Sequence, residues 1–272
     1  MLHEIFPHKL DNQYRNVEIE RDDICVAFKN NHIMLADEGE AFYPKAGEIW
    51  NFIEKAVYLF SLDDKRYFLT EVAVDELDGF TFLPMVQFRT KKPKEEVFAG
   101  MTAYHLYVWY RDNQFCGRCG SPVKHSEKER MVHCDKCNNS IYPKIMPAVI
   151  VAVTNGDKIL VTRYKDRPYR GYALIAGFCE IGETAEETVA REVFEETGIR
   201  VKNIRYYTTQ PWGIAQDLLL GYFCELDGDD TITIDEDELA IGEWVHRDDL
   251  DVVDEQVALT NRMLCMFKSG EY

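Results

Sequence analysis

The segment GFCEIGETAEETVAREVFEETGI, residues 177–199, has the most distinctive pattern in the chain. Seven of its twenty-three residues are glutamate, and its only cation is Arg191. Apolar residues recur within it at helical spacing, and Gly198 stands where a glycine commonly ends a helix. The pattern predicts a helix from about Thr184 to Thr197 with a high density of negative charge.

The glutamates near the end of this helix share one side of it. Glu192, Glu195 and Glu196 span an arc of about 100° at 3.6 residues per turn, where like charges repel. A divalent cation would relieve the repulsion, and Mg²⁺ and Mn²⁺ prefer hard oxygen ligands. A solvated acidic face is the alternative, but the glycines that bracket the preceding loop favour the metal site. Arg191 can pair with Glu187 or Glu195 and hold a carboxylate in position.

The composition and charge exclude several classes of protein. Of the 272 residues, 46% are hydrophobic and 12% aromatic, which suits a globular protein rather than a disordered one. The formal net charge of −17 argues against tight binding to bare nucleic acid through a large basic surface. The apolar run at 146–153 is too short to cross a membrane, and the amino-terminal residues do not resemble a signal peptide. We therefore expect a cytoplasmic protein with no membrane association.

Four cations lie close together upstream of the glutamate-rich segment: Arg163, Lys165, Arg167 and Arg170. They can belong to a solvated loop, or they can form a rim that faces the phosphates of a substrate. The acidic balance of the whole chain does not exclude an enzyme that grips one nucleotide or an RNA 5′ end, because such an enzyme needs only local positive charge.

Two CxxC pairs predict a second metal site of a different kind. CGRC at 116–119 is followed after fourteen residues by CDKC at 134–137, the spacing of a zinc ribbon with two knuckles joined by a short hairpin. Four thiolates fill a tetrahedral zinc site and leave no position for substrate, so we expect a structural role. His125 and His133 are rival ligands that four cysteines make unnecessary. The ligands are therefore predicted to be Cys116, Cys119, Cys134 and Cys137.

Residues 1–110 have the pattern of an irregular α+β domain. The segments 56–62 and 66–72 flank a short turn and predict a hairpin, and 81–88 predicts another strand. Near-helical spacing predicts a helix over 95–113 that leads into the cysteine segment, and we place the zinc ribbon at 111–143.

Residues 144–272 have the pattern of an α/β domain. The runs MPAVIVAV and KILVTRY flank Asn155 and Gly156, which is a hairpin signal. Further strands are predicted at 172–176, 204–210 and 217–226, and a closing helix at 257–267.

The glutamate-rich segment resembles the complete Nudix box. Gly177 is followed after five residues by Glu183, and after seven more by REVFEETGI at 191–199. The resemblance implies an α/β/α sandwich that hydrolyses a nucleoside diphosphate linked to another moiety, with divalent metal ions held by the box. Glu192, Glu195 and Glu196 would then be catalytic metal ligands, with Glu196 or a neighbour helping to activate water. Structural roles are implied for Gly177, Glu183, Arg191 and Gly198.

The order of the parts is similar to the zinc-ribbon branch of that family, the NADH pyrophosphatases and NAD-capped RNA hydrolases. That branch usually has a motif like SQPWPFPxS after the box, and here TQPWGIAQD stands at 209–217. Gln210 and Trp212 match the start of the motif and would contact substrate, whereas its end differs.

Other positions match the branch one by one. Tyr142 would lie near the nucleotide, and Phe178 would stack on a base, as aromatic side chains do in other nucleotide sites. Glu238, in the acidic stretch DEDEL, would be a further metal ligand, and the backbone carbonyl of Ala176 would also reach the metal.

The resemblance implies cleavage of NAD(H) to AMP and nicotinamide mononucleotide, with Mg²⁺ or Mn²⁺ as the catalytic metal and one structural Zn²⁺ per chain. Removal of an NAD cap from RNA would use the same bond. Related chains form homodimers. Two alternatives remain: a pyrophosphatase for ADP-ribose or another dinucleoside pyrophosphate, and a non-catalytic regulator that senses nucleotides.

Overall fold

The computed structural model describes residues 1–36, 42–73, 77–165, 171–235 and 239–272. The chain forms two compact units. The amino-terminal unit contains residues 2–144 and 212–216, and the carboxy-terminal unit contains residue 1 and residues 145–211 and 217–272. None of the helices in the described ranges has the length and apolar character that crossing a bilayer requires.

The amino-terminal unit combines small sheets with one long helix. Strands β1, β5, β6 and β2 form one sheet in the order β1-β5-β6-β2, and β3, β4 and β7 form another in the order β3-β4-β7. Its strands are β1 (Leu10–Asp11), β2 (Ile24–Val26), β3 (Phe28–Lys29), β4 (His32–Ala36), β5 (Ile53–Leu62), β6 (Lys65–Val72), β7 (Phe80–Pro84), β8 (Lys124–His125), β9 (Val132–Cys134) and β10 (Asn139–Ile141), and its helices are α1 (Ala46–Ile49), a 3₁₀ turn (Trp50–Phe52), α2 (Met85–Phe88) and α3 (Lys94–Asp112).

The predicted hairpin and long helix of this unit are both confirmed. Strands β5 and β6 pair antiparallel, with Leu62 opposite Lys65 across the turn. Helix α3 packs on β5, and its Glu96 is buried as the acceptor of hydrogen bonds from Tyr67 Oη (2.5 Å) and Lys65 Nζ (2.9 Å). A charged residue on the buried side of α3 is therefore tolerated because its carboxylate has two donors.

The prediction of a single strand over 81–88 was wrong. Strand β7 ends at Pro84, and α2 follows at once. Met85 and Phe88 are both buried, and their separation of three residues fits a helical turn. In a strand, side chains three residues apart point to opposite faces, so a strand could not bury Met85 and Phe88 on one side. Packing of these two side chains in the core therefore determines the local structure.

The cysteine segment folds into a three-stranded sheet in the order β10-β9-β8. Asn139 pairs with Cys134, and Lys124 pairs with His133, both in antiparallel ladders. This sheet joins the two knuckles, as the spacing of the cysteines predicts.

The carboxy-terminal unit is built on one mixed sheet in the order β14-β15-β11-β12-β16, with β13 paired to β11. The long central pair β11 and β15 is parallel, from Met146 opposite Asp217 to Thr154 opposite Glu225. Its elements are β11 (Met146–Asn155), β12 (Lys158–Tyr164), β13 (Ile175–Phe178), α4 (Ala185–Thr197), β14 (Val201–Trp212), β15 (Asp217–Leu226), β16 (Leu239–His246), a 3₁₀ turn (Arg247–Asp249) and α5 (Leu259–Ser269).

Each face of this sheet is covered by one helix. Successive residues of β11 alternate between two core clusters, as in any strand buried on both sides. Val149 and Val151 pack with Val189 and Val193 of α4. Residues 150 and 152 pack instead with the apolar side of α5, in a cluster that includes Met263. The predicted α/β/α sandwich is confirmed.

The hairpin of β11 and β12 is shorter than the sequence suggests. Only Thr154 and Asn155 pair with β12, which then pairs along its length with β16. The first half of β11 pairs with β13 instead, with Ala148 opposite Phe178. The strand predicted at 172–176 is therefore found a few residues later, at Ile175–Phe178, where it delivers Gly177 and Phe178 to the start of the glutamate-rich loop.

Candidate active site

Helix α4 has a defined beginning and end. The side chain of Thr184 accepts a hydrogen bond from Glu187 N (3.2 Å), and the Glu187 carboxylate accepts one from Thr184 N (2.8 Å), which forms a capping box. Gly198 is left-handed at φ 69°, and its N–H donates to Phe194 O (2.8 Å). The capping box and the left-handed glycine therefore set the first and last residues of α4.

Arg191 joins that loop to the glutamates of the helix. Its Nε and Nη2 donate to Glu183 Oε1 (2.6 Å) and Oε2 (2.9 Å), and Nη2 also donates to the carbonyl of Phe178 (3.0 Å). Its Nη1 donates to Glu192 Oε1 (2.7 Å) and Glu195 Oε2 (2.9 Å). The guanidinium thus holds three carboxylates and the end of β13 in one arrangement.

The charge on Glu183 is stabilised strongly by this arrangement. Arg191 and the N–H of Glu180 lower the pKa of the Glu183 carboxyl to about 2, and the hydroxyl of Thr188 also donates to it. The other possible partner of Arg191, Glu187, is engaged by Thr184 in the capping box. Of the two pairings considered from the sequence, the one with Glu195 is formed.

The three predicted metal ligands differ in exposure. Glu196 is 3% exposed, whereas the side chain of Glu195 is 58% exposed and that of Glu192 is 14% exposed. Glu192 lies so close to the backbone of β13 that a Cβ on residue 177 would overlap its carboxylate. Gly177 is therefore required by this contact rather than by an unusual backbone angle.

The donor set fits a hard divalent cation. Three carboxylates and the nearby β13 backbone, which includes Ala176, offer oxygen atoms of the type that Mg²⁺ and Mn²⁺ prefer. Within the described ranges, the four cysteines are the only group of potential metal ligands whose ligand atoms all lie within 4.8 Å of one another. The carboxylate oxygens of the glutamates on α4 are therefore further apart than the cysteine sulfur atoms. Arg191 holds one oxygen of Glu192 and one of Glu195 in their present positions.

The acidic stretch predicted to supply a further ligand is anchored at the end of α4. Asp235 N donates to Glu196 O (2.9 Å), and Thr233 N donates to Thr197 O (2.9 Å). Glu238 itself lies outside the described residues. Asp235, three residues before Glu238, is therefore held at the backbone of Glu196.

The residues predicted to contact substrate fall into two groups. Phe178 is 51% exposed at the end of β13, and Tyr142 is 54% exposed in the amino-terminal unit. Gln210 is fully buried: its Oε1 accepts from Leu259 N (2.7 Å) and its Nε2 donates to Val257 O (2.7 Å). The amide of Gln210 therefore supports the start of α5 and does not face solvent. Trp212 packs against the core cluster of the amino-terminal unit.

The basic segment is only partly described. The guanidinium of Arg163 lies over the ring of Tyr172, with its Cζ 5.3 Å from the ring centroid. Lys165 ends the described part of this segment, and Arg167 and Arg170 lie outside the described residues. Arg163, near the end of β12, is thus engaged by an aromatic side chain.

The four cysteines form the second candidate site. Their Sγ atoms lie within 4.8 Å of one another, with Cys116 to Cys137 and Cys119 to Cys134 each at 3.5 Å. Both knuckles end in a left-handed residue, Gly120 (φ 71°) and Asn138 (φ 57°), whose N–H donates to the carbonyl of the first cysteine of its pair. The arrangement fits one structural zinc ion with four thiolate ligands.

The histidines near this site have other contacts. The ring of His125 stacks on Tyr110, and His133 Nδ1 lies 3.3 Å from Ser140 Oγ. Neither histidine belongs to the cysteine cluster.

One residue of interest was not predicted from the sequence. Asp217 begins β15 and is 9% exposed, and no residue in the described ranges forms a hydrogen bond with its Oδ1. Burial raises the pKa of its carboxyl to about 6. The only sequence signal was that residue 217 departs from the final serine of the SQPWPFPxS motif.

Comparison with protein families finds two consecutive matches in the chain. Residues 111–142 match the NADH pyrophosphatase zinc ribbon domain, and residues 144–265 match the NUDIX domain.

Two similar curated proteins are both NAD-capped RNA hydrolases named NudC. The protein of Salmonella paratyphi C (strain RKS4594) is 40% identical over 159 residues, which are 58% of this chain and 62% of that protein. The protein of Klebsiella pneumoniae subsp. pneumoniae is 39% identical over the same extent. The match thus spans less than two thirds of the length of these relatives. A solved NUDIX hydrolase from Nitrosomonas europaea shares 21% identity at a TM-score of 0.49, over 57% of this chain and 91% of that one.

Proposed function

We propose that this chain hydrolyses the pyrophosphate bond of NAD(H) to AMP and nicotinamide mononucleotide, because residues 111–142 match the NADH pyrophosphatase zinc ribbon domain and residues 144–265 match the NUDIX domain. The observation that supports this most directly is the Arg191 network, which orients Glu192 and Glu195 beside the carbonyl of Phe178. It brings a metal-binding set of carboxylates next to the backbone of Phe178, whose half-exposed ring can receive a base.

The glutamates of α4 are the catalytic group of this proposal. Glu192, Glu195 and Glu196 would hold Mg²⁺ or Mn²⁺, and Glu238 and the carbonyl of Ala176 would be further ligands. The metal, when bound, screens the phosphate charge and lowers the pKa of an attacking water. We assign to a carboxylate oxygen of Glu196 the acceptance of the proton of that water, because Glu196 is the least exposed of the three.

Substrate binding is assigned to aromatic side chains. A ring of the dinucleotide stacks on Phe178, and stacking of this type contributes about 1–3 kcal/mol per base in single-strand binding proteins. Tyr142 and Trp212 remain proposed contacts. Gln210 is proposed to act indirectly, by fixing the start of α5 through its two backbone hydrogen bonds.

The name of the relatives supports a second form of the substrate, an RNA with an NAD cap. The phosphates that follow the cap would meet the basic segment 163–170, in which Arg167 and Arg170 are the residues to test. Their replacement by glutamate should lower the rate with NAD-capped RNA more than the rate with free NADH. Lys158→Glu, in the same sheet, is the matched control. Equal losses with both substrates would reject this segment as an RNA contact.

One observation favours a different ligand for the same chemistry. Residues 213–217 replace the end of the motif typical of the NADH branch, so ADP-ribose or another dinucleoside pyrophosphate is the second candidate substrate. A panel of NADH, NAD⁺, ADP-ribose and diadenosine diphosphate, compared by kcat/KM, separates these. A clear preference for NAD(H) supports the first proposal, and a preference for ADP-ribose supports the second. A protein that binds these compounds and cleaves none of them would be a regulator.

The remaining assignments concern the setting of the enzyme. We propose three domains, 1–110, 111–143 and 144–272, a homodimer, and a cytoplasmic location, where reducing conditions keep zinc-bound thiolates intact. Sedimentation of the purified chain tests the dimer, and a monomer at micromolar concentration would reject it.

A further inference from the structure

Asp217 lies on the same face of the carboxy-terminal sheet as Phe178. Phe178 of β13 is directly opposite Ala148 of β11, and Asp217 of β15 is opposite Met146 of β11. Residues 146 and 148 are two apart and therefore point to the same face. Leu219, two residues after Asp217, packs with the cluster beneath α5, which identifies that face.

The separation of the two residues suits a ring bound between them. The two residues lie on the strands to either side of β11, which puts two strand spacings between them. They are also shifted by two residues along the strand direction, so their Cα atoms are about 12 Å apart. Helix α5 covers the sheet further along, where Leu259 and Met263 would contact a Cβ on Gly221. Phe178, at the uncovered end, is half exposed.

The carboxyl of Asp217 is in a position that needs a donor. It is nine-tenths buried, and no described residue forms a hydrogen bond with its Oδ1. A buried acceptor without a partner is unfavourable, and a ligand N–H group that reaches the carboxylate would relieve this. Removal from water also raises the pKa of Asp217 to about 6, which agrees with a poorly solvated carboxyl.

We propose that Asp217 is a specificity-determining residue, whose carboxylate accepts a hydrogen bond from an amino or amide N–H₂ group on the substrate ring that stacks on Phe178. This inference rests on the proposed function. Both rings of a nicotinamide adenine dinucleotide have such a group, the pyridine carboxamide and the 6-amino group of adenine. A pyridine carboxylate or a 6-oxo purine presents an acceptor instead and is repelled.

The experiment compares kcat/KM for three substrates that differ at these groups. They are NAD⁺, its nicotinic acid analogue and its hypoxanthine analogue. Wild-type protein should cleave at least one analogue about tenfold less well than NAD⁺, the loss expected for a hydrogen bond to a charged group. Asp217→Asn, whose amide can donate to the analogue, should remove most of that discrimination. Asp217→Ala tests the same point without an added donor, and Asp249→Asn, an exposed aspartate, is the matched control.

The two analogues distinguish which ring lies on Phe178. If Asp217→Asn reduces the discrimination against the nicotinic acid analogue alone, the pyridine ring stacks on Phe178. If Asp217→Asn reduces the discrimination against the hypoxanthine analogue alone, adenine stacks on Phe178. Unchanged ratios in Asp217→Asn and Asp217→Ala, with both variants folded by thermal melt, would overturn the inference while leaving the pyrophosphatase intact.

Failure of the proposed function has a different signature. If wild-type protein cleaves none of the dinucleotides, dialysis binding of AMP against IMP, and of nicotinamide mononucleotide against nicotinic acid mononucleotide, still tests Asp217. A preference for the N–H₂ compound that Asp217→Asn removes supports the inference. Equal binding within both pairs overturns it.

Discussion

Arg191 and Glu183 form a two-point contact between helix α4 and the loop before it, with Nε to Oε1 at 2.6 Å and Nη2 to Oε2 at 2.9 Å. The same guanidinium reaches Glu192 and Glu195. Glu183 therefore acts on the proposed metal ligands through Arg191, although it is not one of them. The first two predictions follow from this contact.

Replacement of Arg191 by lysine should lower kcat/KM by about 10- to 100-fold, the loss typical when a residue that orients metal ligands is changed. Lysine keeps the positive charge but cannot donate along two parallel directions to Glu183 while holding Glu192. Steady-state rates with NADH check this, and Arg205→Lys on the exposed side of β14 is the control. Wild-type rates in Arg191→Lys would mean that the network has no catalytic role.

Glu183 should make the stability of the protein sensitive to acid. Its pKa is about 2 in the folded protein against an ordinary 4.5, so the folded state binds fewer protons. The stabilisation by Glu183 is therefore fully present above about pH 4.5 and is lost as the pH falls towards 2. The difference in Tm between wild type and Glu183→Gln should be constant from pH 7 to 5 and should shrink below 4.5. Glu271→Gln, at an exposed site, should show no such trend, and a pH-independent difference for Glu183→Gln would refute this assignment.

Gly177→Ala should impair catalysis without unfolding the sandwich. A Cβ at this position would overlap the carboxylate of Glu192 and force it to move. We expect a loss in kcat of at least about tenfold and weaker activation by Mn²⁺. Gly117→Ala is the control, since a Cβ there meets nothing within 4 Å. Normal metal activation in Gly177→Ala would show that Glu192 is not a ligand in its present position.

Zinc should be bound at one ion per chain and should stabilise the amino-terminal unit. Cys134→Ser removes one of the four clustered thiols, so the protein should lose its zinc and unfold at lower temperature. Elemental analysis and a thermal melt measure the two effects. Cys265→Ser, in α5 and outside the cluster, should keep both the zinc and the Tm. Zinc retained by Cys134→Ser would contradict the four-thiolate site.

Much of the fold could be predicted because its signals are local. Thr184, Glu187 and Gly198 define the ends of α4 within the segment itself, and the two CxxC pairs place the zinc ribbon by spacing alone. The β5–β6 hairpin was predicted for the same reason, since its strands are neighbours in sequence.

The errors occur where distant parts of the chain decide the structure. Met85 and Phe88 become helical because both are needed in the core. The first half of β11 pairs with β13, which lies more than twenty residues later in the chain, instead of continuing its hairpin with β12. The burial of Gln210 depends on α5, which lies nearly fifty residues later. No local pattern shows a contact of this kind.

The most direct test of the central claim is mass spectrometry of the products after incubation with NADH and Mg²⁺ or Mn²⁺. We predict AMP and reduced nicotinamide mononucleotide, and neither product in the presence of EDTA or with Glu196→Gln. Products that persist with Glu196→Gln would remove Glu196 from the catalytic group. NADH left intact by wild-type protein with active metal would contradict the proposed function and would move the assignment first to ADP-ribose and related pyrophosphates.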